Sequence, residues 1–215
     1  SVATLLDPRP TPTETAHATA LQLLERHGVL TREAVLGEGV EGGFAGVYQV
    51  LKALEERGQV RRGYFVAGLG AAQFALPGAV DRLRAAREVD EGDLTPVVLA
   101  ATDPAQPFGL TLPWPESAGR PARSAGAFVV MVAGDVVVHL ERGGRSLSTF
   151  PSVHGHAHWA GALAQLVHGG RVGRLEITRI DGEPAVESPL AEVLRDAGFA
   201  DGYRGLTLRS SRARG

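Results

Sequence analysis

A chain of 215 residues with 44% hydrophobic side chains can fill one large or two small cores, and its 28 glycines and 13 prolines imply many turns. The absence of cysteine excludes disulfides and Cys-based zinc sites and suits a reducing, cytoplasmic setting. A net charge of −2 excludes a uniformly basic nucleic-acid binder, so any such binding must come from local charge. No apolar run approaches the roughly 18 residues that cross a bilayer, so no membrane partner is expected. The opening lacks the basic-then-apolar pattern of a signal peptide. Position 1 is Ser rather than Met, and the chain reads as a piece of a longer protein.

The first module is expected over residues 11–88. Thr11-Pro12-Thr13-Glu14 starts a helix: Thr11 caps, Pro12 takes the first helical position and Glu14 closes a capping box. Ala16, Ala20, Leu23 and His27 recur at helical spacing until Gly28 ends the run. Thr31 caps a shorter helix to about Leu36. A third helix spans about Gly43 to Arg57, with Phe44, Val47, Leu51 and Leu54 as its buried stripe. Val60 to Val66 and Ala72 to Leu76 flank a glycine turn and read as a β-hairpin, and Pro77 opens a fourth helix to about Arg87. Three helices followed by a hairpin are the winged-helix order.

Charge is uneven across this module. Lys52, Arg57, Arg61, Arg62, Arg82, Arg84 and Arg87 stand against Glu55, Glu56 and Asp81. Arg61 and Arg62 lie at the root of the wing, where phosphates can be met, and Tyr64 follows with Phe65, one of the two pointing away from the core. The outward side of the third helix carries Gly46, Gln49, Lys52 and Glu56, a face poor in Arg and Asn. Contact with the DNA backbone is therefore expected rather than sequence readout. Winged helices also serve as protein-interaction modules.

Residues 88–93 are acidic and read as a linker. The second module is expected over residues 94–210. Val97 to Ala101 is a short apolar strand, broken by Thr102-Asp103-Pro104, and a long loop holding Pro113-Trp114-Pro115 follows. Phe128 to Val132 and Val136 to Glu141 form a hairpin turned at Gly134-Asp135, and Gly143-Gly144 leads into Ser146 to Phe150. A helix from about His158 to His168 is buried through Trp159, Leu163 and Val167. Arg174 to Ile180 and Glu183 to Val186 flank Asp181-Gly182. A last helix, Leu190 to Ala197, precedes a strand at Leu206 to Arg209. About seven strands and two helices predict an α+β chain: a winged-helix domain, then a small β-barrel-like domain with packed helices. A single antiparallel sheet under two helices is the alternative.

No Gly-x-x-x-x-Gly-Lys-Ser/Thr loop is present, so no ATPase site and no cofactor is expected in this stretch. His154, His156 and His158 would share a face only on a strand. They precede a helix, so a solvated loop is expected and no metal. Asp103 ends a strand and opens a loop. It is the candidate catalytic carboxylate, with a turn-starting role as the competing reading. Trp114 is a candidate for stacking on a base, or for loop packing. Arg142 and Arg145 join the candidate DNA contacts Arg61, Arg62, Lys52 and Tyr64. Arg204, Arg209, Arg212 and Arg214 form a second basic group.

Several strings are long and specific: Phe44-Ala45-Gly46-Val47-Tyr48-Gln49-Val50-Leu51, Arg61-Arg62-Gly63-Tyr64-Phe65-Val66, Gly68-Leu69-Gly70-Ala71-Ala72-Gln73-Phe74, Ala100-Ala101-Thr102-Asp103-Pro104-Ala105-Gln106-Pro107-Phe108-Gly109 and Leu112-Pro113-Trp114-Pro115. Together they resemble the C-terminal end of the bacterial large helicase-related (Lhr) proteins. The resemblance implies a parent that is an ATP-dependent 3′-to-5′ DNA helicase of DNA repair. Its motor domains, with ATP and magnesium, would lie outside this stretch. It implies DNA, single-stranded or duplex, and the rest of the helicase chain as partners, and a role in homo-oligomerisation. It also implies an architecture similar to AlkZ-type DNA glycosylases, with uracil-DNA glycosylase activity as an alternative function. The Gln-x-Gln motif of AlkZ-type enzymes is absent here.

Overall fold

The computed structural model describes residues 10–70, 72–86, 94–156 and 158–210. The expected linker at 88–93, Arg87, Arg212 and Arg214 lie outside the described residues. The chain divides into two compact units. The first comprises residues 1–88 with 110–112, and the second residues 89–109 with 113–215.

In the first unit, α1 (Pro12–His27) begins with the expected capping box: Glu14 N–H donates to Thr11 Oγ1 (3.3 Å), and Thr11 N–H donates to Glu14 Oε2 (2.8 Å). Gly28 closes the helix at φ 68°. A two-residue strand, β1 (Val29–Leu30), precedes α2 (Arg32–Gly37), which Thr31 caps through Ala34 N–H (3.1 Å). After α3 (Gly43–Glu56) come β2 (Arg61–Gly63), β3 (Gln73–Ala75) and α4 (Pro77–Ala85). The sheet order is β1-β3-β2, with Leu30 opposite Phe74 and Arg62 opposite Phe74 on the other side. The sequence reading missed β1, because two residues carry no periodicity. Leu24, Leu30, Leu51, Leu54 and Phe74 make the buried centre. Phe44 and Tyr48 of α3 lean on the Phe74 ring.

In the second unit the strands are β4 (Val97–Ala100), β5 (Phe128–Val132), β6 (Asp135–Leu140), β7 (Ser146–Thr149), β8 (Arg174–Ile177), β9 (Arg179–Ile180), β10 (Glu183–Pro184), β11 (Ala200–Asp201) and β12 (Leu206–Arg209). They form a six-stranded sheet, β10-β9-β7-β6-β5-β4, and a three-stranded sheet, β11-β12-β8. The stretch Arg174 to Ile180, expected as one strand, serves both sheets. It leaves one and enters the other at Thr178, where the Thr178 and Arg179 amides both donate to the Arg145 carbonyl (2.8 and 3.1 Å). Among the described residues no ladder closes either sheet, so the plain description is two open sheets rather than a closed barrel or a single sheet. Between Phe128–Val132 and Asp135–Leu140 the left-handed turn residues are Ala133 and Gly134, one position earlier than expected, since Asp135 already pairs with Val132. Asp181 and Gly182 turn as expected, at φ 53° and 89°. Helices α5 (Trp159–His168) and α6 (Ala191–Asp196) bury Trp159, Leu163, Leu166 and Leu194 in the main core. No helix among the described residues is long and apolar enough to cross a membrane.

His139 of β6 is a buried polar residue in this unit. Its Nε2 lies 3.0 Å from the Ala122 carbonyl, its ring meets the edge of Trp114, and Nδ1 has no partner among the described residues. Burial pushes the imidazole below its ordinary pKa, against smaller upward pulls from the Ala122 contact and the Glu141 charge. The folded state thus binds this proton less readily than the unfolded chain. Its stability contribution is whole above the ordinary histidine range and is lost as pH falls through that range toward the depressed folded value. Urea unfolding should therefore show a stability slope of at most about 1.4 kcal/mol per pH unit from this group. The slope should flatten in His139→Gln; an unchanged slope would mean that His139 stays charged when folded.

Candidate nucleic-acid interface

The wing is shorter in strand and firmer in loop than the sequence suggests. The hairpin ladder stops at Gly63, paired with Gln73. Beyond it, the buried carboxamide of Gln73 takes over the hydrogen bonding. Gln73 Oε1 accepts from the Phe65 and Val66 amides (2.8 Å each). Nε2 donates to the Val66 and Leu69 carbonyls (2.9 and 3.3 Å). One side chain therefore satisfies four backbone groups that the ladder has abandoned.

On this frame Arg61 and Arg62 are exposed on the edge strand, and neither makes an ion pair among the described residues. Tyr64 is 87% exposed. Phe65 is half-buried, close beneath Gly63. The outward side of α3 presents Gly46, Gln49, Lys52 and Glu56. Lys52 is drawn toward Glu56 at 3.9 Å, a weak exposed pair. Between the wing and α4 runs a groove of about 390 Å³ lined by Tyr64, Phe65, Val80, Leu83 and Arg84. Nothing in the sequence pattern marks either the role of Gln73 or this groove.

The second unit treats its candidates differently. Asp103 Oδ1 accepts from the Ala105 amide (2.9 Å), an Asx turn, and Arg123 donates to the Asp103, Gln106 and Phe108 carbonyls to clamp the same turn. Trp114 is half-buried and stacks between Phe108 and Phe150, with centroids at 6.1 and 6.0 Å. Its geometry is that of loop packing. Arg142 and Arg145 are exposed on either side of the Gly143-Gly144 turn, and the Ser146–Arg179 register places Arg179 at the same sheet end. Arg209 stands opposite Arg174 in its ladder, and Arg204 lies exposed in the preceding turn. His154 sits in a 3₁₀ turn (Pro151–Gly155), so the alternation of a strand does not align the three histidines. Among the described residues no group of three metal-ligating side chains gathers. A separate open cavity of about 560 Å³ is lined by Glu116, Thr149, His154 and Asp181 with their neighbours, and both Asp181 oxygens accept from Thr149.

A pinned wing behind three helices is a helix-turn-helix variant by geometry, and sequence comparison decides its kinship. Residues 9–95 match the winged-helix domain of the large helicase-related protein. Residues 9–95 thus carry the winged-helix domain of the Lhr family. It is 47% identical over 213 residues to the "Lhr helicase/ probable uracil glycosylase" of Mycolicibacterium smegmatis, an alignment covering 93% of this chain and 14% of that protein. It is 35% identical over 206 residues to the "Lhr helicase/uracil glycosylase" of Escherichia coli, covering 90% of this chain and 13% of that protein. The chain thus spans a small part of the Lhr relatives it matches.

Within this Lhr wing, Gln73→Leu leaves the Phe65 and Val66 amides without an acceptor. At about 1–3 kcal/mol for each unsatisfied buried group, unfolding stability should fall by several kcal/mol. Hydrogen exchange should quicken first at those two amides. Exchange unchanged from wild type would show that the loop is held by something else.

Proposed function

We propose that this chain is the DNA-binding and scaffolding C-terminal part of an ATP-dependent 3′-to-5′ DNA-repair helicase, gripping the phosphate backbone without reading sequence. One observation carries the reading: two exposed arginines, Arg61 and Arg62, with no carboxylate partner among the described residues, stand on a wing that a buried glutamine holds in shape. Cations freed from ion pairs are available to displace the counterions of DNA. The α3 face, with Gly46 and Glu56 outward, supports backbone contact over base readout. Arg142 and Arg145 extend the same chemistry to the second unit, whose two sheets we take as parts of a barrel-like module. ATP and magnesium belong to motor domains elsewhere in the parent. In a fluorescence-anisotropy titration, Arg61→Ala with Arg62→Ala should weaken binding to unrelated duplexes alike. The slope of log K against log salt should become shallower by about two. Unchanged affinity and slope would remove the wing from the interface.

The names of the two relatives favour a second reading, uracil-DNA glycosylase activity. Such an enzyme needs a concave seat for a flipped base and a carboxylate facing it. Asp103 is committed to its turn, so Asp103→Asn should leave any release of uracil unchanged when uracil-DNA is incubated and then treated with alkali. A loss beyond about tenfold, or about 1.4 kcal/mol, would return Asp103 to the catalytic role.

A further inference from the structure

We infer that the groove between the wing and α4 seats one unpaired base of a DNA strand, stacked on Tyr64, while Arg61 and Arg62 hold the neighbouring phosphates. This inference rests on the wing being a DNA contact and adds the form of DNA that it selects. The groove holds about 390 Å³, within the range of about 300–1,000 Å³ usual for small-molecule sites. Its walls are two aromatic rings, Tyr64 and Phe65, with Val80 and Leu83 of α4 and the guanidinium of Arg84. Tyr64 is 87% exposed and Leu83 40% exposed, so the apolar lining is open to solvent rather than closed against the core.

Charge says what would cover it. Among the described residues of the wing and α4, the cations Arg61, Arg62, Arg82 and Arg84 stand against Asp81 alone, and the Asp81–Arg84 pair is exposed, at 3.5 Å. An apolar partner protein has no use for that excess of cations, whereas a nucleic-acid strand supplies both an aromatic ring and flanking anions. Arg62 and Arg61 lie two and three residues ahead of Tyr64, about 7 and 10 Å along an extended chain. That places them beside a base seated on the tyrosine. A duplex keeps its base faces stacked on one another and offers only phosphates to this surface. An unpaired base, at a single strand or an overhang, offers both. The wing tip is also held in advance: the Phe65 and Val66 amides beside the groove are tied to Gln73, so seating a base does not require the loop to order.

The test uses the full chain with a labelled oligo-dT strand, with a blunt duplex, and with a strand carrying one 2-aminopurine whose fluorescence falls on stacking. Tyr64→Ala should weaken oligo-dT binding by about tenfold and abolish the quenching, with duplex affinity kept within about twofold. Tyr64→Phe should keep both. Equal losses on strand and duplex, or wild-type quenching in Tyr64→Ala, would overturn the inference while leaving the wing as a backbone contact. If Arg61→Ala with Arg62→Ala changes neither ligand, the wing reading itself fails. Displacement of oligo-dT by a poly-glutamate peptide of equal charge would reassign the groove to an acidic protein partner.

Discussion

A glutamine side chain takes the place of a strand ladder in the wing, and the presentation of the arginines depends on it. β-Hairpins of this length are marginal alone. Here β2 pairs over three residues only, and the chain beyond Gly63 would otherwise leave its amides without acceptors. A carboxamide offers one acceptor with two lone pairs and two donors, enough to satisfy two amides and two carbonyls at once. Because Gln73 is fully buried and the groups it bonds are at least partly so, water competes weakly for those bonds. The backbone carrying Arg61, Arg62 and Tyr64 is therefore fixed from beneath, and its side chains are free to face solvent.

The second unit solves a different problem, that of giving two sheets one core. A single run of residues, Arg174 to Ile180, pairs first with β12 and then with β7. The change of partner at Thr178 exposes two adjacent amides, and one carbonyl, that of Arg145, receives both. Gly205 lies against the Ile177–Thr178 backbone with no room for a Cβ, so the close approach at this corner requires glycine. The inward residues Leu175, Ile177, Leu206 and Leu208 then meet Trp159 and Leu163 of α5 in one cluster.

The helices were legible because their signals are local. Thr11 and Glu14, or Thr31, state a helix start within four residues, and Asp181-Gly182 states a turn within two. Features set by distant partners were not. β1 exists because Ala75 and Phe74 offer it a ladder, which two residues cannot announce. Gln73 bonds to backbone amides that any residue supplies, so nothing in the wing's side chains marks its role. Trp114 and Asp103 were ambiguous for the same reason. An aromatic in a long loop and an acid after a strand suit either a ligand or the protein's own packing, and only the positions of Phe108, Phe150 and Arg123 separate the two.

An overall negative chain does not argue against a phosphate contact once pairing is considered. Most cations here sit near a carboxylate in sequence, and several are neutralised: Arg26 by Glu38, Arg174 by Glu176, Arg195 by Glu192 and Asp201. These surface pairs add little stability, but they cancel charge beyond a Debye length of about 8–10 Å. What remains is set by the cations without partners. On the wing, Arg61 and Arg62 make no ion pair among the described residues; they are adjacent in sequence, on an edge strand, with no acid between Arg57 and Asp81. A phosphate approaching that edge meets a local field unlike the molecular average. Winged-helix order alone leaves protein and nucleic-acid partners equally open; the edge arginines, unpaired among the described residues, tilt the wing toward DNA.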